Sequence, residues 1–171
     1  MADMKIVFLG TSAAIPTEKR CLSSIVVKRG GELLIFDAGE GMQKNFLQSK
    51  LGINKKMKIF ITHLHIDHCL GLIGFFQTMS LLGRTKKIDV YGEPRLREFI
   101  HENFRIINIG LAFEIVIHAI EGEGVIASED DYKISCCNAD HSIPAFSFCI
   151  TEHPRPGIFD VEKASKLSIP K

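Results

Sequence analysis

The feature that most constrains this chain is Thr62-His63-Leu64-His65-Ile66-Asp67-His68, which follows directly on Met57-Lys58-Ile59-Phe60-Ile61. Three imidazoles and a carboxylate fall within six residues at the end of a strand-like run. Neutral imidazole nitrogen and carboxylate oxygen are the donors preferred by zinc and similar divalent ions. A strand that ends in such a cluster delivers several ligands to one point with little chain entropy left to lose. The chain holds seven histidines in all, so a chance grouping of three is a poor explanation beside a metal site.

The 171 residues are 46% hydrophobic and 24% charged, enough for one domain with a real core. A formal net charge of +1 gives no global basic field that would mark a nucleic-acid binder. Two local basic groups, Lys55/Lys56/Lys58 and Arg84/Lys86/Lys87, read as solvated loop ends. The five cysteines stand at positions 21, 69, 136, 137 and 149, without a CxxC pair. The opening residues run straight into strand-like sequence with no signal peptide, so a reducing cytoplasm is the expected compartment. No apolar run approaches the roughly 18–20 residues that span a bilayer, and no membrane partner is expected.

Short runs rich in Ile, Val and Phe predict strands at 6–9, 24–28, 33–37, 58–62, 88–91, 115–119, 132–138 and 146–151. Helical spacing predicts helices at 42–50, with Met42, Phe46 and Leu47 on one face, at 70–82, and at 94–107 behind Pro94. Mixed strands and helices imply a layered α/β or α+β domain. After residue 151, Glu152-His153-Pro154-Arg155-Pro156-Gly157 breaks regular structure, and 159–167 makes only a short helix. Residues 1–151 are therefore expected to be domain and 152–171 the start of an arm or linker.

His63 and His65 are two apart, so in an extended segment their rings share a side. Asp67 and His68 come as the chain turns into the next helix, whose N-terminus favours a bound hydroxide or phosphate oxygen. Asp67 is read as ligand or base rather than a plain N-cap. His141, in the loop after the 132–138 run, would complete three nitrogen ligands and leave a fourth position open. Asp37 ends another strand beside two glycines. It reads equally as a turn residue or as a carboxylate orienting a ligand histidine. Cys69 is left out of the site as an ordinary buried thiol. His101 and His118 read as structural, and so does His153, although its place in the arm is within reach of a substrate.

Together these residues resemble the metallo-β-lactamase superfamily, whose signature His-x-His-x-Asp-His is His63-x-His65-x-Asp67-His68 here. The chain is similar more narrowly to the ribonuclease Z family of tRNA 3′-processing endonucleases. That likeness rests on 8–16 (Phe8-Leu9-Gly10-Thr11-Ser12-Ala13-Ala14-Ile15-Pro16), on 36–41, on Asp140-His141-Ser142, and on Arg155-Pro156-Gly157-Ile158-Phe159-Asp160. The resemblance implies an αββα sandwich, here its N-terminal part, and a dinuclear zinc endoribonuclease that leaves a 3′-hydroxyl on the tRNA. It matches His63, His65 and His141 to one zinc, and Asp67 and His68 to the second. Asp67 also matches the family's proton acceptor, and Arg155 lies at the base of the arm that grips tRNA.

The chain departs from the family in two places. The early loop Pro16-Thr17-Glu18-Lys19-Arg20-Cys21 keeps the arginine, Arg20, that helps sense the acceptor end, but carries Glu18 and Cys21 where the family has lysine and asparagine. Family members also continue into a second half-domain that supplies a bridging aspartate, a further zinc histidine and a histidine that protonates the leaving group. The isolated chain is accordingly expected to bind one zinc or none well, to show little activity and to associate as a dimer through exposed surface. Two alternatives stand beside precursor tRNA cleavage: a phosphodiesterase or esterase for a small substrate, and a non-catalytic homologue that binds RNA or a protein partner.

Overall fold

The computed structural model describes residues 3–154, 157 and 160–168. In chain order the elements are β1 (Met4–Gly10), β2 (Ser24–Arg29), β3 (Glu32–Phe36), α1 (Met42–Gln48), β4 (Lys56–Phe60), α2 (Ile66–Cys69) and α3 (Gly71–Leu81). There follow β5 (Ile88–Gly92), α4 (Arg95–Ile107), β6 (Ile115–Ala119), β7 (Gly124–Ser128), β8 (Tyr132–Asn138), β9 (Phe146–Glu152) and α5 (Val161–Lys166). β1 to β6 form one sheet in sequence order, and β7-β8-β9 form a second, antiparallel sheet. β1, β2 and β3 pair antiparallel, whereas β3, β4, β5 and β6 run parallel.

Strand periodicity explains the layering. In β4, Met57 and Ile59 face the core shared with α1, α3 and α4, while Phe60 points the other way into the core between the sheets. β3 divides in the same manner, Leu33 and Ile35 to the helices and Leu34 to the second sheet. Strands buried on both faces read as continuous apolar runs, which is why they were legible. On β8 only one face is apolar, with Tyr132, Ile134 and Cys136 inward.

Two basic residues predicted to be solvated lie inside the protein. Lys58 is 3% exposed, on the inter-sheet face of β4. Its ammonium bonds Glu32, lies 2.7 Å from Glu129 and donates to the Tyr132 hydroxyl at 2.9 Å. A charge can leave water there because both carboxylates and the phenol replace its hydration shell. Arg84 is fully buried, and its guanidinium donates to the Ile53, Lys55 and Lys87 carbonyls, tying two loops together. Leu47 is also misplaced by the periodicity: it stands 42% exposed, while Met42 and Phe46 carry the buried face of α1.

The predicted helix at 70–82 is one of two pieces. α2 stops before Leu70 because the Ala38 N–H donates to the His68 carbonyl at 2.7 Å, and the Gly71 N–H donates back to the Ala38 carbonyl at 2.8 Å. The loop after β3 is thereby stitched into the joint between α2 and α3. A Cβ on Gly71 would overlap the Gly39 carbonyl, so glycine is required for this close approach. β7 was not anticipated; it is short, and Val125 on it is exposed.

Candidate metal centre

The site forms at the carboxyl ends of the parallel strands, the usual location for ligands in such sheets. β3 delivers Asp37, β4 delivers the segment through His65, and the loop after β8 delivers His141. That loop is fastened directly to the cluster: Phe146 N–H donates to the Thr62 carbonyl at 2.9 Å, and Ala139 N–H to the Ala145 carbonyl at 2.8 Å. His141 is thus held opposite the β4 segment, 76 to 78 residues away in sequence from the histidines it meets.

One ligand atom from each of His63, His65 and His141 lies within 4.8 Å of the others. His141 Nε2 is 3.1 Å from His65 Nδ1. The His63 ring stands 4.8 Å from that of His65, 4.5 Å from that of His141 and 4.1 Å from that of His68, centroid to centroid. His63 is the most enclosed of the three. Burial, reinforced by His68, pushes its pKa down to about 4, so the imidazole is neutral with a lone pair to offer.

Asp37 organises the neighbouring rings. Its Oδ1 accepts from Thr62 N–H at 2.8 Å, and its Oδ2 accepts from His68 Nδ1–H at 2.6 Å. That contact raises the His68 pKa against the opposing effect of burial. With Nδ1 occupied, Nε2 of His68 is turned toward Asp67, 3.5 Å away. The Thr62 hydroxyl donates to Asp37 at 2.8 Å and can accept from His63 Nδ1 at 2.9 Å, which presents His63 Nε2 as the free nitrogen. Asp37 itself sits at φ 60°, a left-handed conformation that aspartate tolerates better than most residues. Thr62 escaped sequence reading, and its position next to His63 at a strand end was the available signal.

Asp67 occupies the first turn of α2 but does not cap it; the cap residue is His65, whose side chain makes no capping bond. The Asp67 Oδ2 instead accepts from the Ala14 N–H at 2.8 Å, tying the 10–22 loop to the cluster. Burial opposes ionisation of Asp67, but hydrogen bonds from Ala14 and its own backbone outweigh it and hold the carboxyl below its ordinary range. The Cys69 thiol is pushed up to about 12 by burial and by the Asp37 charge, so it stays protonated.

Other expected residues lie elsewhere. Arg20 is exposed at the mouth of a cleft of about 530 Å³ formed by the 11–20 loop, where its N–H donates to the Thr17 hydroxyl at 3.0 Å. Arg155 lies outside the described residues. His118 bonds Asp89 at 2.9 Å and stacks on Tyr91, far along β6. His101 lines an apolar cavity between α4 and β6.

A family model described as "Anti-Pycsar protein Apyc1" matches residues 4–112. Ribonuclease Z of Nitrosopumilus maritimus is 51% identical over 168 residues, 98% of this chain and 56% of that protein. The chain belongs to the family of that model and to the ribonuclease Z family of the metallo-β-lactamase superfamily. Ribonuclease Z of Trichodesmium erythraeum is 42% identical over 169 residues, 98% of this chain and 52% of that protein. The chain thus spans about half the length of the curated relatives it matches. Among solved structures, human tRNase Z, short form (ELAC1), superposes with a TM-score of 0.79 at 32% identity, covering 86% of this chain and 64% of that one. A metallo-β-lactamase fold protein, YhfI from Bacillus subtilis, shares the fold with a TM-score of 0.66 at 18% identity, covering 88% of this chain and 58% of that one.

The donor set suits a divalent ion. Three imidazoles converge, the buried one is held neutral, and the far nitrogens of His63 and His68 are engaged by Thr62 and Asp37. Among the described residues no helix is long and apolar enough to cross a membrane.

Proposed function

We propose that this chain carries the N-terminal part of a zinc-dependent endoribonuclease that removes the 3′ trailer of precursor tRNA and leaves a 3′-hydroxyl. The convergence of His63, His65 and His141 on a ribonuclease Z fold, with Asp67 and His68 alongside, carries this reading. Residues 1–151 belong to the metallo-β-lactamase-like domain and 152–171 begin the tRNA-binding arm. Zinc, when bound, supplies a Lewis acid and a water acidified to near neutrality.

His63, His65 and His141 hold one zinc; Asp67 and His68 contribute to a second, which two protein donors alone hold weakly. Asp37 keeps the His68 Nδ1 proton in place, so that Nε2 is the ligand atom. Asp67 takes the proton of the attacking water, a role suited to a carboxylate kept ionised by Ala14 and its own backbone. Arg20, on the loop joined to Asp67 through Ala14, contacts the acceptor end. The remaining donors come from the part of the relatives' length that this chain does not match, and full activity belongs to a chain of that length. All five cysteines are free thiols, which suits a reducing cytoplasm.

A second reading, a phosphodiesterase for a small substrate, draws on the differently described family model over residues 4–112. Cleavage of precursor tRNA and of bis(p-nitrophenyl) phosphate by a family-length protein separates the two. Specific release of the trailer, lost in the His63→Ala variant, supports the first. Turnover of the small ester with precursor tRNA left intact overturns it.

A further inference from the structure

A cleft of about 560 Å³ adjoins the metal centre, with His65 as one wall and Leu64, Phe99 and Ile143 as its apolar surfaces. Neither Asp67 nor the 11–20 loop lines it. The cleft is built on one face of α4, where Arg95, Glu98, Phe99 and Glu102 recur at three- and four-residue spacing. Leu64 and Phe99 pack against the main core, which anchors this floor to it. Arg95 is anchored by Glu93, which is 5% exposed, at 2.8 Å.

The size suits a small ligand, and the chemistry selects which part of a nucleotide enters. Glu98 and Glu102 repel a phosphate, so the phosphate stays at the His65 end and the base goes in. A base has an apolar face for Phe99 and an edge for the carboxylates, which only accept hydrogen bonds when ionised. Glu102 is already engaged by Arg105 at 2.6 Å, and the Asn103 side-chain amide, also in the lining, donates to the Phe99 carbonyl at 2.7 Å, which leaves Glu98 as the carboxylate to read the base.

We propose that this cleft seats the first nucleotide of the cleaved trailer, its base on Phe99 and its exocyclic amine donating to Glu98. The proposal rests on the precursor tRNA reading, in which the 11–20 loop takes the acceptor end and the trailer leaves past His65. The trailer carries a 5′-phosphate, so nucleoside 5′-monophosphates are its smallest mimics. Cytosine and adenine present the required amine; uracil does not.

Methyl NMR of the zinc-loaded chain during titration with CMP and UMP tests this. CMP is expected to move the Ile143 and Leu64 methyl signals saturably and to bind roughly ten-fold tighter than UMP. Glu98→Gln is expected to reduce that preference to about two-fold, and Phe99→Leu to weaken both nucleotides roughly ten-fold. Silent Ile143 and Leu64 methyls in a chain that holds zinc overturn the proposal, as does a preference unchanged in Glu98→Gln. Zinc content, measured on the same samples, reports on the histidines separately: a chain without zinc that keeps the CMP preference supports the base site while counting against the nuclease reading.

Discussion

At the scale of single residues, the centre depends on groups that touch no substrate. Asp37 and Thr62 decide which imidazole nitrogen faces the site, through bonds of 2.6 to 2.9 Å to His68 and His63. Asp37→Asn keeps the size but removes the charge that holds both the His68 Nδ1 proton and the Thr62 hydroxyl set beside His63, a proposed ligand of the three-histidine site. It should weaken zinc binding about 10- to 100-fold, the usual effect of losing such a partner, as read by competition with a chromophoric chelator. Unchanged affinity would assign Asp37 to the turn alone. The histidine signature was visible at once because metal ligands are rare residues at tight spacing. Asp37 was balanced between two roles, since a turn aspartate and an orienting aspartate look alike until their partners are known. Thr62 was missed because a threonine at a strand end carries no chemical signal of its own.

At the scale of elements, the joint between α2 and α3 is the most constrained part of the fold. Gly71 lies against the backbone of Gly39, and neither can move without displacing the segment that carries Asp37. Gly71→Ala should cost about 1–3 kcal/mol in stability, as overpacking does, and lower zinc affinity along with it; urea unfolding and the chelator competition measure the two. The strands were largely legible because β-branched and aromatic residues line both faces of β3, β4 and β5. Lys58 and Arg84 were not, since a lysine or arginine in sequence says nothing about its partners, most of which lie 26 to 74 residues away. The Lys58 cluster makes stability depend on acid. Burial opposes ionisation of Glu129, but hydrogen bonds from Lys56 and Lys58 prevail and hold its pKa below the ordinary glutamate value. The unfolded chain therefore binds a proton there first, and stability falls as pH drops through the glutamate range. Glu129→Gln, less stable near neutrality, should show a shallower loss of urea midpoint between neutral and acid pH than the parent.

At the scale of the whole molecule, the layers explain where the protein meets others. β1 is an edge strand, and Met4, Ile6 and Phe8 on one of its faces stand 45%, 57% and 64% exposed. On the opposite face Leu9 is buried and Val7 packs against the helix-side core. A row of three large apolar side chains beside an open edge favours association. The chain should sediment as a dimer, and Ile6→Lys with Phe8→Lys should shift it to monomer while leaving the circular dichroism spectrum unchanged. A parent that sediments as a monomer at all concentrations would contradict this. β1 offers apolar surface of the kind expected from the sequence; on the second sheet, the outer face of β9 carries Ser147, Cys149 and Thr151.

The proposed metal centre depends on three imidazoles, two from β4's end and one from the loop after β8, gathering around one cation. Zinc titration of the metal-free chain by isothermal calorimetry, with His63→Ala, His65→Ala and His141→Ala in parallel, tests it most directly. One tight zinc per chain is expected, with a loss of at least about ten-fold in affinity for each substitution. A tight zinc that persists undiminished in His141→Ala would contradict it.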